Sequence, residues 1–508
     1  MCISAEKFES ISFVWIDENN FKKMRNKGYI CPINLIKYNL MLMKKLKTSL
    51  VSSVLMLGFL TLNAQESPKY IFYFIGDGMG MGHVLAAQTY NRMILGNEDP
   101  LLMMQFPVSG VLTTYSASSP VTDSAAAGTA LASGYKTKNG MLGMDADSIA
   151  VESIAAQLFG NGYGVGLVTS VPPDDATPGA FYAHVPNRGM YYEITVQAAQ
   201  SGYQFLGGSM LRGTKDNEGN PNDLLDIIKQ YNMEYARGAE AARASTSERI
   251  LMVNPEGIDT YQIGYTVDSI PGALTLPEMT DVCLSHLEKW CPDKFFMMVE
   301  GGNIDYTGHS NDGGAAVKEI INFNEALKVA YDFYNKHPEE TLIIVTADHD
   351  TGGMAIGSIF TGYNMQPQYI DYQKISKDRF NDECKAILRS RRIFTWDDMK
   401  EMLKEQLGFW GGVPVTEKQT AMLEEKFTKT FELRNSEDQK TLYRNFDEFS
   451  TAVFNVFNEI CGIGWVTYNH TGNYVPVYAI GVDADKFAGI HDNTNIPEIL
   501  RRITNLEN

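Results

Sequence analysis

Positive charge is in short supply in this 508-residue chain: 43 Lys and Arg stand against 61 Asp and Glu, a formal net charge of −18. That balance disfavours a nucleic-acid-binding surface or capture by an anionic membrane, so a phosphate-bearing ligand needs local positive charge such as metal ions. Cysteine is scarce as well. Cys2 and Cys31 precede a leader-like segment, and Cys283, Cys291, Cys384 and Cys461 follow it without CxxC spacing. This excludes a small disulfide-stapled fold and offers neither a cysteine zinc site nor a redox pair; any pairing of the four is unreadable from sequence. Prolines number 19, too few for a Pro-rich linker protein, and no repeat or low-complexity block occurs. The apolar run from Leu50 to Leu60 falls short of the roughly 20 residues that a membrane span requires.

What is present is a globular composition, 44% hydrophobic and 11% aromatic. Lys44, Lys45 and Lys47 precede the Leu50 to Leu60 run, and Leu62, Asn63 and Ala64 close it. A short basic region, a short apolar region and a small final residue read as a secretory signal peptide over 41–64, cleaved after Ala64. The alternative is a retained N-terminal anchor. Residues 1–40 carry no export features, which points to translation starting at Met41 or Met43. The mature chain is then expected as one catalytic domain over 65–508.

Short apolar runs at Tyr70 to Ile75, Val165 to Val168, Ile250 to Val253, Phe295 to Val299, Leu342 to Val345 and Val475 to Ile480 alternate with stretches of helical period. The expected fold is α/β, a three-layer sandwich around a mostly parallel sheet. Ligands of such sheets bind beyond the carboxyl ends of the strands, where Asp77, Thr169, Glu300, Asp348 and His349 fall. Between Tyr363 and Cys461 the pattern changes to amphipathic helices opened by Thr395 and Thr416, read as a helical insertion that packs or makes dimer contacts.

The chemistry-bearing residues lie in separate segments. Asp77 sits in a Gly-Asp-Gly turn after the first strand. In Val121-Thr122-Asp123-Ser124-Ala125-Ala126, a serine stands where an Ala-rich helix begins, in a field that favours an alkoxide and a bound phosphoryl group. Glu300, Asp305 and His309 follow another strand, and Asp348 and His349 a third; His470 precedes Val475 to Ile480. Imidazoles mixed with carboxylates suit zinc, whereas carboxylate and hydroxyl oxygens suit magnesium.

These segments resemble the alkaline phosphatase family, from Tyr70 to about Val482 outside the insertion; Lys136-Thr137-Lys138-Asn139-Gly140 and Gly143-Met144-Asp145 continue the nucleophile pattern. The resemblance implies a phosphate monoester hydrolase with Ser124 as the phosphorylated nucleophile and Arg188 forked onto phosphate oxygens. It implies one zinc on Asp305, His309 and His470 and a second on Asp77, Asp348 and His349. Magnesium is implied on Asp77, Thr177 and Glu300, with Asp175 reaching it through water. It further implies a homodimer, exported to a periplasm or beyond the cell, and broad use of small phosphate monoesters at a shallow, exposed site. Tyr306 departs from relatives that carry Lys or His there, so looser product phosphate is expected. A phosphodiesterase or sulfatase on the same scaffold is the alternative, disfavoured by Ser124 as nucleophile and by Arg188 with the third metal site. A metal or phosphate scavenger is disfavoured because storage needs no nucleophile.

Overall fold

The computed structural model describes residues 67–506, apart from 216, 217, 259, 391 and 392. The leader expected at 41–64 and the upstream 1–40 segment lie outside the described residues. Ten strands form the central sheet: β1 (Tyr70–Ile75), β2 (Val108–Thr113), β3 (Gly164–Thr169), β4 (Phe205–Gly207), β5 (Glu234–Arg237), β6 (Ile250–Val253), β7 (Phe295–Glu300), β8 (Thr341–Thr346), β9 (Val475–Gly481) and β10 (Gly489–Asp492). Their order is β10-β2-β9-β8-β1-β7-β3-β4-β6-β5. β9 runs antiparallel to both of its neighbours. Every other pairing in the sheet is parallel.

The six apolar runs read from the sequence are all strands, and their ends agree to within a residue. β1, β3, β7 and β8 form the interior and are buried on both faces, which is why they read as continuous apolar runs. The remaining four strands carry no such signal. β4 has three residues, and β2, β5 and β10 are only partly buried, with β5 and β10 at the sheet edges.

Helices α1 (Met81–Met93), α2 (Ser124–Ser133), α3 (Leu276–Trp290), α4 (Asn303–Ser310) and α5 (Gly313–Tyr334) flank the sheet or leave its strand ends. Alternation along β1 shows the two covered faces. Phe72 and Phe74 pack on Phe333 and Phe323 of α5, while the Tyr73 hydroxyl on the other face donates to the Leu131 carbonyl of α2. Glycines let α3 dock on β3: a Cβ at Gly164 or Gly166 would lie 2.3 Å from Cys291 Sγ or 2.5 Å from Cys283 Sγ. Those two cysteines, like Cys384 and Cys461, are unpaired thiols.

Beyond the sheet lie α6 (Lys377–Ser390), α7 (Trp396–Leu407), α8 (Glu417–Phe427) and α9 (Glu448–Cys461). Thr395 and Thr416 open α7 and α8 with reciprocal capping boxes, the local signal seen in the sequence. Met399, Leu403, Leu423, Phe427 and Phe449 form a second apolar cluster, which reaches Ala86 and Tyr90 of α1 and Val317 of α5. Among the described residues no helix is long and apolar enough to cross a membrane.

Candidate functional site

The carboxyl edge of the sheet gathers the side chains singled out from the sequence. Asp77 follows β1, Asp348 and His349 follow β8, and Glu300 ends β7, from which α4 carries Asp305 and His309 one turn apart. His470 stands before β9. Because β9 is antiparallel, its beginning lies at the same edge as the ends of its neighbours. The turn after β1 needs glycine: Gly78 has φ +76°, and a Cβ there would lie 2.9 Å from Asp305 Cα.

Two groups of possible metal-binding atoms result, Asp305 with His309 and His470, and Asp77 with Asp348 and His349; within each, the donor atoms lie within 4.8 Å of one another. The His349 and His470 rings stack at 3.6 Å, so the groups adjoin. Hydrogen bonding fixes the tautomers. His309 Nδ1 donates to the Tyr468 carbonyl at 2.6 Å and His470 Nδ1 to the Thr122 carbonyl at 2.8 Å. The Thr351 hydroxyl donates to Asp305 Oδ1 at 2.5 Å, leaving its oxygen to accept from His349 Nδ1 at 3.2 Å. In their neutral forms all three imidazoles therefore present Nε2 lone pairs to the site; burial lowers the His470 pKa, but the Asp305 carboxylate outweighs it and holds that ring above its ordinary value. His309 Nε2 and His470 Nε2 face each other at 2.9 Å, a contact of two acceptors that a cation between them resolves.

The carboxylates make the same demand. Asp77 Oδ1, Asp305 Oδ2, Asp348 Oδ2 and Glu300 Oε1 are buried and have no hydrogen-bond partner among the described residues. Burial, reinforced by Asp348 and Asp305, drives Asp77 well above the usual carboxylate range. Burial and the Asp305 charge push Asp348 up to about 7. Burial, with Asp175 and Asp348 nearby, pushes Glu300 up to about 8 against the Thr169 hydrogen bond. Crowded buried carboxylates of this kind suit multivalent cations. Thr177 joins them from a short helix, Ala176–Gly179, its hydroxyl 3.5 Å from Asp77 Oδ2.

Ser124 is the first residue of α2 and is buried, unlike the exposed site expected from the resemblance. Its Oγ lies 3.1 Å from His349 Nε2. Asp123 is the N-cap: one oxygen accepts from Ala126 N–H at 3.0 Å, the other from Gly140 N–H at 3.0 Å. That second oxygen also takes Arg188 at 3.4 Å, and the other arm of Arg188 reaches Asp175 Oδ1 at 3.0 Å. Burial raises the Asp175 pKa, but Arg188 and Arg212 outweigh it and hold the carboxyl below its ordinary value.

Three participants were invisible in the sequence. Asp123 stood in the nucleophile segment with no role of its own, yet it caps α2 and aims Arg188. Arg212 comes from a loop with no recognisable pattern and approaches Asp175 Oδ2 at 3.5 Å, where the Tyr306 hydroxyl also donates at 3.2 Å. Tyr443, from the segment read as a helical insertion, stacks on Tyr306 with ring centroids 4.3 Å apart and sets its edge against His309 at 5.0 Å.

Residues 68–216 and 213–506 match the sequence profile of the alkaline phosphatase family. Alkaline phosphatase 3 of Bacillus subtilis is 30% identical over 446 residues, 85% of this chain and 88% of that protein. The cold-active alkaline phosphatase of the psychrophile Shewanella sp. superposes with a TM-score of 0.72 at 25% identity, covering 85% of this chain and 99% of that one. The Thermus thermophilus alkaline phosphatase shares the fold, with TM-score 0.71, 24% identity and coverage of 87% and 92%. The chain belongs to the alkaline phosphatase family. It is thus a phosphatase, of a metal-dependent family that acts on phosphate monoesters.

Proposed function

We propose that this phosphatase hydrolyses small phosphate monoesters in two displacements through a phosphoserine on Ser124. The observation that carries this reading is the placement of the Ser124 hydroxyl at the start of α2, 3.1 Å from His349 Nε2 and beside both donor groups. Asp305, His309 and His470 would hold one zinc, Asp77, Asp348 and His349 a second, and Asp77, Thr177 and Glu300 a magnesium, with Asp175 in contact through water. When bound, such ions neutralise phosphate charge and lower the pKa of oxygen nucleophiles.

The protein's own groups do the rest. Asp123 holds the start of α2, so that the free N–H groups and helix dipole favour anionic oxygen at Ser124. Asp123 and Asp175 grip Arg188 from two sides, which orients its planar fork for two non-bridging phosphate oxygens. Ser124 Oγ loses its proton to solvent base and bonds to phosphorus as the ester P–O bond breaks; the departing alkoxide takes a proton from water. Hydroxide then displaces the Ser124 oxygen from phosphorus, the serine regains its proton from water, and inorganic phosphate is released. Both nucleophiles act as anions, hence the preference for alkaline pH.

On this reading the enzyme is exported as a homodimer without residues 1–64, which N-terminal sequencing of exported protein and light scattering test. The deciding assay compares p-nitrophenyl phosphate, its bis-ester and p-nitrophenyl sulfate using metal-stripped protein reloaded with zinc and magnesium. The monoester is expected to lead by orders of magnitude. A leading diester or sulfate would overturn the roles given to Arg188 and the magnesium ligands.

A further inference from the structure

A groove of about 560 Å³ opens beside the site, and Tyr306, Tyr443, Tyr261, Tyr265, Leu442 and Arg212 are among the residues that line it. It is rooted in the chemistry. Tyr306 directly follows Asp305 and donates to Asp175, while Tyr443 lies against both Tyr306 and His309. The groove's volume falls within the range of about 300–1,000 Å³ typical of small-molecule sites.

The groove's charges are largely spent on one another. Arg444 is paired with Asp382 at 2.9 Å and Asp378 at 3.7 Å, and Asp378 also accepts from the Tyr265 hydroxyl. Arg379 donates to the Asp268 carbonyl and pairs with Glu383. Arg212 meets Asp175 while its guanidinium lies 3.8 Å from the Tyr191 ring and 4.8 Å from the Tyr261 ring. A second anion on a substrate finds little uncompensated charge here. A flat uncharged ring finds tyrosine faces and a stacked guanidinium, with Tyr261 50% and Leu442 56% exposed to be covered by it.

We propose that this groove takes the alcohol half of the substrate and favours phosphate monoesters whose alcohol carries a flat, uncharged aromatic ring, nucleoside 5′-monophosphates being the simplest class. The inference rests on the monoesterase reading above. It makes Tyr443 and Tyr261 specificity residues and gives the hairpin between α8 and α9 a part in substrate choice.

The test compares kcat/KM for adenosine 5′-monophosphate and methyl β-D-ribofuranoside 5-phosphate, which share sugar and leaving oxygen and differ only in the base. The intact enzyme should prefer the nucleotide by about tenfold, a modest yield for ring stacking. Tyr443→Ala should bring the ratio close to one, and Tyr261→Ala, a change at an exposed position on another segment, should lower it independently. A ratio near one in the intact enzyme, or a ratio preserved in both variants, would overturn the subsite. Failure to hydrolyse either compound or p-nitrophenyl phosphate would instead overturn the monoesterase reading, and the subsite with it.

Discussion

At the scale of single residues, the site is organised by what each polar atom lacks. Three imidazoles spend their Nδ1 protons on backbone carbonyls or Thr351 and turn bare Nε2 atoms inward, toward carboxylate oxygens that have no protein donor. Ser124 stands among them at a helix start, so Ser124→Ala should lower kcat/KM by on the order of 10³-fold or more. It should also abolish the acid-stable phosphoryl label that rapid quenching traps on the intact enzyme; a label persisting in the variant would remove Ser124 from its role. Tyr306 bears on product release. Its hydroxyl and Arg212 both meet Asp175 Oδ2, so a cation already stands near the place where Tyr306 supplies none. Product-inhibition kinetics on Tyr306→Lys should give a lower phosphate inhibition constant, whereas an unchanged constant would mean that Arg212 provides the charge. The nominated donors and Ser124 were legible because each sits in a short segment whose local pattern, a strand end or a helix start, is written in neighbouring residues. Arg212 and Tyr443 were not, since nothing adjacent to them in sequence marks their destination.

Among the elements, α4 and α6 are joined by a buried amine. Lys377, the first residue of α6, donates from Nζ to the Ser310 carbonyl at 2.8 Å, at the end of the helix that bears Asp305 and His309. Its ammonium lies 4.4 Å from the Phe446 ring, and Asp312 accepts its backbone N–H at 2.7 Å. Burial pushes the Lys377 pKa down to about 8, from roughly 10.4 in an unfolded chain. Between those values the unfolded chain binds the extra proton, so stability rises with pH. The penalty for burying the charge is fully present below pH 8 and gone above about 10.4, a span worth up to about 3 kcal/mol. Urea unfolding of the intact protein and of Lys377→Met, from pH 7 to 10.5, should show the intact protein gaining on the variant as pH rises. A constant difference would contradict a lowered pKa. The helices around this link were foreshadowed by Thr395 and Thr416, whose caps are local; the attachment of α6 to the end of α4 spans 67 residues and was not.

For the whole molecule, one edge of one sheet collects segments from Asp77 to His470, and the concentration of buried carboxylate at that edge is a cost that bound cations would offset. Stripping metal with a chelator should lower the melting temperature by several degrees and abolish hydrolysis, and zinc with magnesium should restore both, as calorimetry and p-nitrophenyl phosphate assays would read. A melting temperature indifferent to the chelator would argue that the centre is held together by protein contacts alone. By itself the sequence determined the fold class, the six strongest strands, the helix caps and the residues able to bind metal, because burial on both faces, side-chain period and capping are recorded locally. The tertiary structure decided which of those residues meet. The antiparallel setting of β9 brings His470 to the ends of the parallel strands, hydrogen bonds donated to distant carbonyls choose the His309 and His470 tautomers, and the packing of the hairpin between α8 and α9 sets Tyr443 beside the site. Each depends on contacts between residues far apart in the chain, which no local pattern encodes.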